Sequence, residues 1–442
     1  MLAVWHKFKA FLGYRLILEV AIVGSFIAFT INPGSLGDLM RICGVLFLIN
    51  MVIGNYRMGD ITVAHWVVIG IFLITLLINS FMPDEMVHRR SFRYFLTIPG
   101  MILAIHCLSK RANPQSRTLL FYCGIAVLAL IVQLIGYLTV ERVVNSGGLE
   151  SYSLYSNMHH FGAFASLILP VLVYFSTQIK GWLRLSCVGG AIVAFYLLWE
   201  SSSRISWVAF FSSILIAILI FFRKRELLFG LIGFFIISLI AALGSGFVTI
   251  KNRIWDILAN WRSEERVTVW TDTLNMLGDN SVKDWLLGHG IGSFRYYFSD
   301  YNTFKVKGKI VDWNFPHNFF FQIIFENGAI GLAMFLGATV LLMIGIWRGY
   351  HRLKHQSDRY LLVTLFILFW MNFIHAALTL SLYHKYFIYP FSMIIGIVLI
   401  LLEKAGQNKP LKSMAGFRDV TNILVDKLPM LNRWLKEHKI DA

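Results

Sequence analysis

The sequence predicts an all-α polytopic membrane protein of about twelve transmembrane helices, with one large polar loop gathered on a single face. Three observations predict it. Hydrophobic residues make up 57% of the chain and charged residues only 14%, a balance outside the range of ordinary soluble domains. Apolar runs long enough for a bilayer, which needs about 20 residues per helix, recur along the chain. A single interruption, about Lys251 to Asn318, is far longer than the usual connection of less than about a dozen residues.

Taken in order, the apolar runs centre near residues 14–31, 38–54, 63–82, 93–109, 118–140, 160–178, 182–199, 205–222, 226–249, 328–347, 360–380 and 386–402. They divide the chain into nine spans over 1–249, the loop over 250–317, a loop-exit helix with three further spans over 318–402, and a basic tail over 403–442. No fixed-period repeat or low-complexity tract is visible. The first run lacks a small-residue cleavage site, so it is expected to be a retained helix. In the tail, Val420, Ile423, Leu424, Leu428, Leu431 and Trp434 stand among Lys and Arg as a helical stripe suited to the inner leaflet.

Lys and Arg collect in loops that stay in the cytoplasm. With Lys7, Lys9 and Arg15 inside, Arg57, Lys110, Arg111, Arg117, Lys180, Arg184, the run Arg223-Lys224-Arg225, and Arg348, Arg352, Lys354 and Arg359 all fall inside, as does the tail. The long loop and the segments at 83–92, 141–160, 200–204 and 379–386 then share the external face. Arg89, Arg90 and Arg93 depart from the pattern there. The net charge of +16 follows largely from this topology and from attraction to anionic lipid, and no nucleic-acid partner is expected. Cys43, Cys107, Cys123 and Cys187 all fall within predicted spans without metal-ligand spacing. They imply neither a disulfide framework nor a metal site.

Chemistry concentrates in the loop. Glu264 to Leu277 contains neither Gly nor Pro and places Arg266 and Trp270 four residues apart, on one face of a predicted helix that Leu274 continues. An arginine so held either pairs with Glu264, Glu265 or Asp272, or offers a bidentate fork to phosphate oxygens. Gly288-His289-Gly290-Ile291-Gly292 lacks the strand and the Gly-Lys-Ser/Thr of a nucleotide loop. It predicts a tight turn that brings the backbone close to another segment. The aromatics that follow, Phe294, Tyr296, Tyr297, Phe298 and Tyr301, either pack the loop onto the membrane or stack on sugar rings.

Pro316-His317-Asn318 precedes a short apolar helix, Phe319 to Asn327, that Gly328 closes. His317 is expected at the helix N-terminus, where the dipole lowers its proton affinity. A neutral imidazole there either caps locally or takes a proton from an attacking hydroxyl. On the same face, Glu200-Ser201-Ser202-Ser203-Arg204 supplies either an internal Glu200–Arg204 pair or a second phosphate ligand with serine donors. Ser156-Asn157-Met158-His159-His160 is a polar rim, since adjacent histidines do not converge on one metal.

Together, Ser203-Arg204, Arg266-x-x-x-Trp270, Gly288-x-Gly-x-Gly-Ser-Phe294, and Pro316-His317-Asn318 followed by Glu326-x-Gly328-x-x-Gly331 resemble the bacterial O-antigen ligases and the related O-antigen polymerases. The resemblance implies a GT-C class membrane glycosyltransferase of the bacterial inner membrane, with its loop and active site facing the periplasm. It implies an undecaprenyl-diphosphate-linked glycan as donor and lipid A–core as acceptor, with membrane lipids around the chain. It assigns Arg204 and Arg266 to the diphosphate and His317 to the acceptor hydroxyl as base, supported by Asn318, Trp270, Ser203 and Asn157. It implies an inverting displacement that needs no metal or other cofactor. Some relatives carry a second histidine where this chain has Phe315.

A polymerase would differ chiefly in its acceptor, a growing lipid-linked glycan. External Arg89, Arg90, Arg93 and Arg142 favour the phosphates of a lipopolysaccharide core, hence the ligase. A flippase or transporter of lipid-linked glycan is the alternative of another class. Such proteins commonly show repeated halves with polar sites at the midplane, whereas here the polar residues gather at one face.

Overall fold

The computed structural model describes residues 15–30, 36–52, 61–80, 89–111, 130–135, 138, 158–201, 203–221, 233, 265–306, 309–310, 313–381 and 383–406. Most of the spans expected near 118–140 and 226–249, the loop before Glu265, Asn157, Cys123, Arg142 and the tail beyond Gly406 lie outside these residues. So do the side chains of Arg204, Arg89, Arg90 and Arg93.

In chain order the helices are α1 (Arg15–Thr30), α2 (Leu36–Val52), α3 (Val63–Ser80), α4 (Arg89–Arg111), α5 (Met158–Gln178), α6 (Trp182–Glu200) and α7 (Arg204–Phe221). The loop contributes α8 (Glu265–Gly278), α9 (Val282–Leu287) and α10 (Phe294–Tyr301), and α11 (Phe319–Arg352), α12 (Gln356–Leu378) and α13 (Lys385–Lys404) complete the order. The fold is thus almost entirely helical. The all-α expectation needs one correction, since β1 (Lys305–Val306) and β2 (Lys309–Ile310) pair as an antiparallel ribbon inside the loop. Lys307 and Gly308 separate the two strands in sequence, a spacing suited to a tight hairpin connection.

By length and composition, five described helices are fit to cross a membrane: His159–Gln178, Trp182–Glu200, Phe319–Arg352, Gln356–Leu378 and Tyr386–Lys404. Val20–Phe29, Val63–Thr75, Thr97–Cys107 and Ile205–Phe221 are shorter apolar helices. Polar side chains within the bundle helices turn back onto their own backbone: Ser25 Oγ donates to the Ala21 carbonyl, Asn50 Nδ2 to Leu46 and Thr75 Oγ1 to Ile71. That arrangement satisfies hydroxyl and amide groups where no water is at hand. Small residues let helices close up, as where a Cβ on Gly100 of α4 would lie 3.2 Å from the Gly44 Cα of α2. Among the described residues Cys43, Cys107 and Cys187 are buried and form no disulfide, consistent with packing as small apolar side chains.

Two hydrophobic cores result. The larger joins α1 to α7 with α11 to α13. The smaller belongs to the loop: Val269, Met276 and Leu277 of α8, Phe294 and Phe298 of α10, and Phe325 at the start of α11. Leu274, expected to continue the Arg266–Trp270 face of α8, is 55% exposed, because the buried face runs through Val269, Thr273 and Met276 at helical spacing. Asp272 ties α8 to the end of α10 by accepting from the Thr303 backbone N–H at 2.8 Å and from its hydroxyl.

Polar contacts sort the helix ends into two faces. On one, Asn79 near the end of α3 accepts from Ile291 N–H at 2.6 Å, which fastens the loop to the bundle. On the other, His106 of α4 meets Glu403 of α13 at 3.2 Å, and Lys404 meets Asp358 at 3.3 Å.

Candidate active site

The site is assembled from the ends of α5, α7, α8, α11 and α12. Trp270, one turn beyond Arg266 on α8, donates its indole N–H to the Pro316 carbonyl at 2.9 Å. The i,i+4 pair therefore divides its work: the tryptophan holds the segment that carries His317, and the arginine faces the same space. Asn318 is the N-cap of α11, its Oδ1 accepting from Phe320 N–H at 2.9 Å and Phe321 N–H at 3.3 Å. A cap of this kind satisfies amides that the first turn leaves open.

His317 precedes that cap with φ 53°, a left-handed conformation that costs a residue with a Cβ roughly 1 kcal/mol or more. The strain turns its ring out of the helix line toward the α12–α13 connection. There Nδ1 lies 2.9 Å from the Thr379 carbonyl. A carbonyl only accepts, so Nδ1 carries the hydrogen and Nε2 presents its lone pair. Nε2 is buried and has no hydrogen-bond partner among the described residues. Trp313 and Phe315 flank the ring, with centroids 4.9 and 4.5 Å away.

Burial lowers the pKa of His317 to about 4, the Thr379 carbonyl opposes that fall, and the positive charge of Arg266 adds to it. The direction agrees with the expectation from sequence, but the first cause is desolvation and not a helix terminus. The ring sits one residue before the cap, beside the helix axis.

His159, at the start of α5, stands between an expected diphosphate ligand, Arg266, and an expected supporting residue, Ser203. Arg266 Nη2 lies 3.4 Å from His159 Nε2, and His159 Nδ1 lies 3.3 Å from Ser203 Oγ. Ser203 is fully buried and also accepts from Ser206 Oγ at 2.9 Å. A Cβ on Gly162 would collide with Ser201, Ser203 and Ser206, so the absence of a side chain there lets α5 lie against the serine cluster. Arg204 opens α7 immediately beside Ser203.

The glycine turn supports this floor. Gly288, Gly290 and Gly292 have φ of 76°, 98° and 79°, values that suit glycine. His289 N–H donates to the Phe325 carbonyl and Gly290 N–H to that of Glu326, both at 2.9 Å. Gly328 breaks α11 with φ 66°, and a Cβ there would meet the Leu286 backbone while one on Gly288 would meet that of Glu326. Two backbones thus interlock, as expected of a turn built for close approach. His289 is held by Asn280 at 2.9 Å and stacked on Phe325; burial lowers its pKa.

Beneath the turn, Glu326 is completely buried, with Gln322 Nε2 at 3.4 Å. The α12–α13 connection seals this corner, since Ser381 Oγ donates to Gln322 Oε1 at 3.0 Å. Burial, and then the neighbouring Glu326, push the Tyr383 phenol well above its ordinary range. Tyr383 therefore keeps its hydrogen and serves as a donor.

The structure brings together Arg266, Trp270, Ser203, His317 and Asn318. Sequence reasoning left His159 in a polar rim and did not single out Thr379, Gln322 or Asn79. For His159 the available signal was its position at the mouth of a span on the same face as the other candidates. Among the described residues no group of three or more His, Cys, Asp or Glu could hold a metal ion.

No curated protein matches the chain in sequence. The family comparison falls on the segment where this site is built, and it covers about a third of the chain. Residues 189–336, which carry Ser203-Arg204, Arg266, Trp270, the glycine turn and Pro316-His317-Asn318, match the model of the O-antigen ligase family.

Proposed function

We propose that the protein is an O-antigen ligase that transfers a glycan from undecaprenyl diphosphate to a sugar hydroxyl of lipid A–core, at the periplasmic face of the bacterial inner membrane. The observation that carries this reading is His317, whose Nδ1–H is committed to the Thr379 carbonyl and whose buried Nε2 lone pair is unspent beside Arg266. In the proposed step the acceptor hydroxyl oxygen attacks the anomeric carbon from the side opposite the diphosphate. A carbon–oxygen bond forms, the bond to the diphosphate oxygen breaks, and the leaving group departs with its electron pair. The hydroxyl proton passes to Nε2.

Arg204 and Arg266 stabilise the charge that grows on the diphosphate, by fork-shaped donation that an ammonium does not reproduce. With that charge supplied by guanidinium groups, the step calls for no metal and no nucleotide. A free-enzyme pKa of about 4 makes His317 a weak base. A bound diphosphate offsets the arginines and raises the proton affinity of the ring when the base is needed. Twelve spans of the GT-C kind remain part of the proposal.

An O-antigen polymerase would run the same chemistry on a lipid-linked glycan acceptor, and a flippase would leave the glycosidic bond to its carrier intact. Purified protein in lipid nanodiscs, given lipid-linked glycan and either lipid A–core or a second lipid-linked glycan, separates the three. The ligase reading expects transfer to lipid A–core. Transfer only between lipid-linked glycans establishes the polymerase, and no new bond in either reaction overturns both.

A further inference from the structure

Deepening the proposed function and resting on it, we infer that His159 is a positioning residue for the donor diphosphate, holding the Arg266 guanidinium in place through a hydrogen-bonded ladder anchored on Ser203. The ladder runs from buried to open. Ser203 at its foot is completely buried, while His159 and Arg266 are only partly covered.

The hydrogen accounting has one solution. A guanidinium has no acceptor, so Arg266 Nη2 must donate to His159 Nε2 across 3.4 Å, and that nitrogen must carry a lone pair. A neutral imidazole then bears its hydrogen on Nδ1, which donates to Ser203 Oγ across 3.3 Å. Ser206 donates to the same oxygen at 2.9 Å, so Ser203 is fixed from two directions. The side chain of Ser206 and the bare Cα of Gly162 lock that oxygen between α5 and α7.

Arginine carries several rotatable bonds, and ordering them costs conformational entropy on binding. The contact from Nη2 to His159 presets the plane in which the guanidinium meets a ligand. The imidazole is a fitting partner for this task. A carboxylate would neutralise the charge that the diphosphate requires, whereas a neutral nitrogen acceptor orients the fork and leaves its charge intact.

The test measures equilibrium binding of undecaprenyl diphosphate without a glycan to protein in nanodiscs, for wild type, His159→Ala, His159→Gln, Arg266→Ala and the double variant His159→Ala with Arg266→Ala. His159→Ala should weaken binding about tenfold or more, the worth of one hydrogen bond to a charged group. His159→Gln places an acceptor oxygen where Nε2 was and should recover most of that loss. In the Arg266→Ala background, His159→Ala should cost nothing further, because residues that act through one contact are not additive. A full further loss in that background, equal losses for Ala and Gln, or wild-type binding by His159→Ala overturns the inference and leaves the proposed function standing. Failure of the wild type to bind the diphosphate overturns both.

Discussion

Two clusters of histidine, one at each face of the bundle, differ in what their neighbours permit. At the face away from the loop, the tilted rings of His65 and His106 lie 4.1 Å apart, both completely buried, and His106 Nε2 meets the Glu403 carboxylate at 3.2 Å. At the loop face His317 meets a carbonyl, His159 a hydroxyl and a guanidinium. A carboxylate on the ring nitrogen makes a strut between α4 and α13. Burial and an arginine nearby keep the His317 ring neutral against the pull of the carbonyl, and the carbonyl on Nδ1 leaves the lone pair on Nε2 to offer. The same residue type is a brace in one place and a candidate base in the other, and the partners decide which.

The comparison breaks outright if the two faces are assigned wrongly, so topology gives an all-or-none result. In a background without native cysteines, Ser281→Cys, exposed at the N-cap of α9, should react with a membrane-impermeant thiol reagent from the periplasmic side. Ser357→Cys, exposed at the start of α12, should react only after the membrane is opened. The reverse pattern would put His317 in the cytoplasm and end the ligase reading.

Next in size is the histidine itself. His317→Ala should lower transfer by about 10²–10⁴-fold while diphosphate binding survives, the usual worth of a general base. His106→Ala, at the opposite face, should lower thermal stability and leave the chemical step alone. Equal rate losses in the two variants would erase the distinction between base and brace. Arg204→Lys and Arg266→Lys should each lose about tenfold or more in donor affinity despite retaining charge, measured by the same binding assay.

A pH profile sharpens the contrast further. With a pKa near 4 against an ordinary 6.5, His317 is neutral in the folded protein from pH 7 down to about 5. The value kcat/KM for the donor reports the free enzyme, so it should stay level across that interval and fall only below it. A fall centred at 6.5 would point to another histidine. The smallest effect is structural: Asn318→Ala removes the α11 cap and should cost about 1 kcal/mol, read as a modest drop in thermal stability in detergent.

Much of this was legible in the residues. Lengths of apolar sequence located the described bundle helices but not α9 and α10 of the loop, the i,i+4 spacing of Arg266 and Trp270 placed them together, and the three glycines marked a backbone contact. The partners across the fold were not legible. His317 meets a carbonyl 62 positions away, Arg266 a ring 107 away, and Asn79 an amide 212 away. Periodicity tells which face of a helix is covered but not by what. For Asn318 the local pattern held a second message, since an asparagine before an apolar helix is a cap first. The pKa of His317 was read from a helix terminus because burial is not visible in a single chain.

The interlock of Gly288 with Gly328 carries a consequence for how such a protein diverges. The loop is pinned to the bundle by main chain against main chain, a joint that depends on two residues having no side chain. The exposed side chains of α9 and α10 have no part in it. Those surfaces are therefore free to drift in sequence without loosening the joint, while His317 and Arg266 stay in register. Under the proposed function, a lineage can change the glycan it handles without rebuilding the reaction.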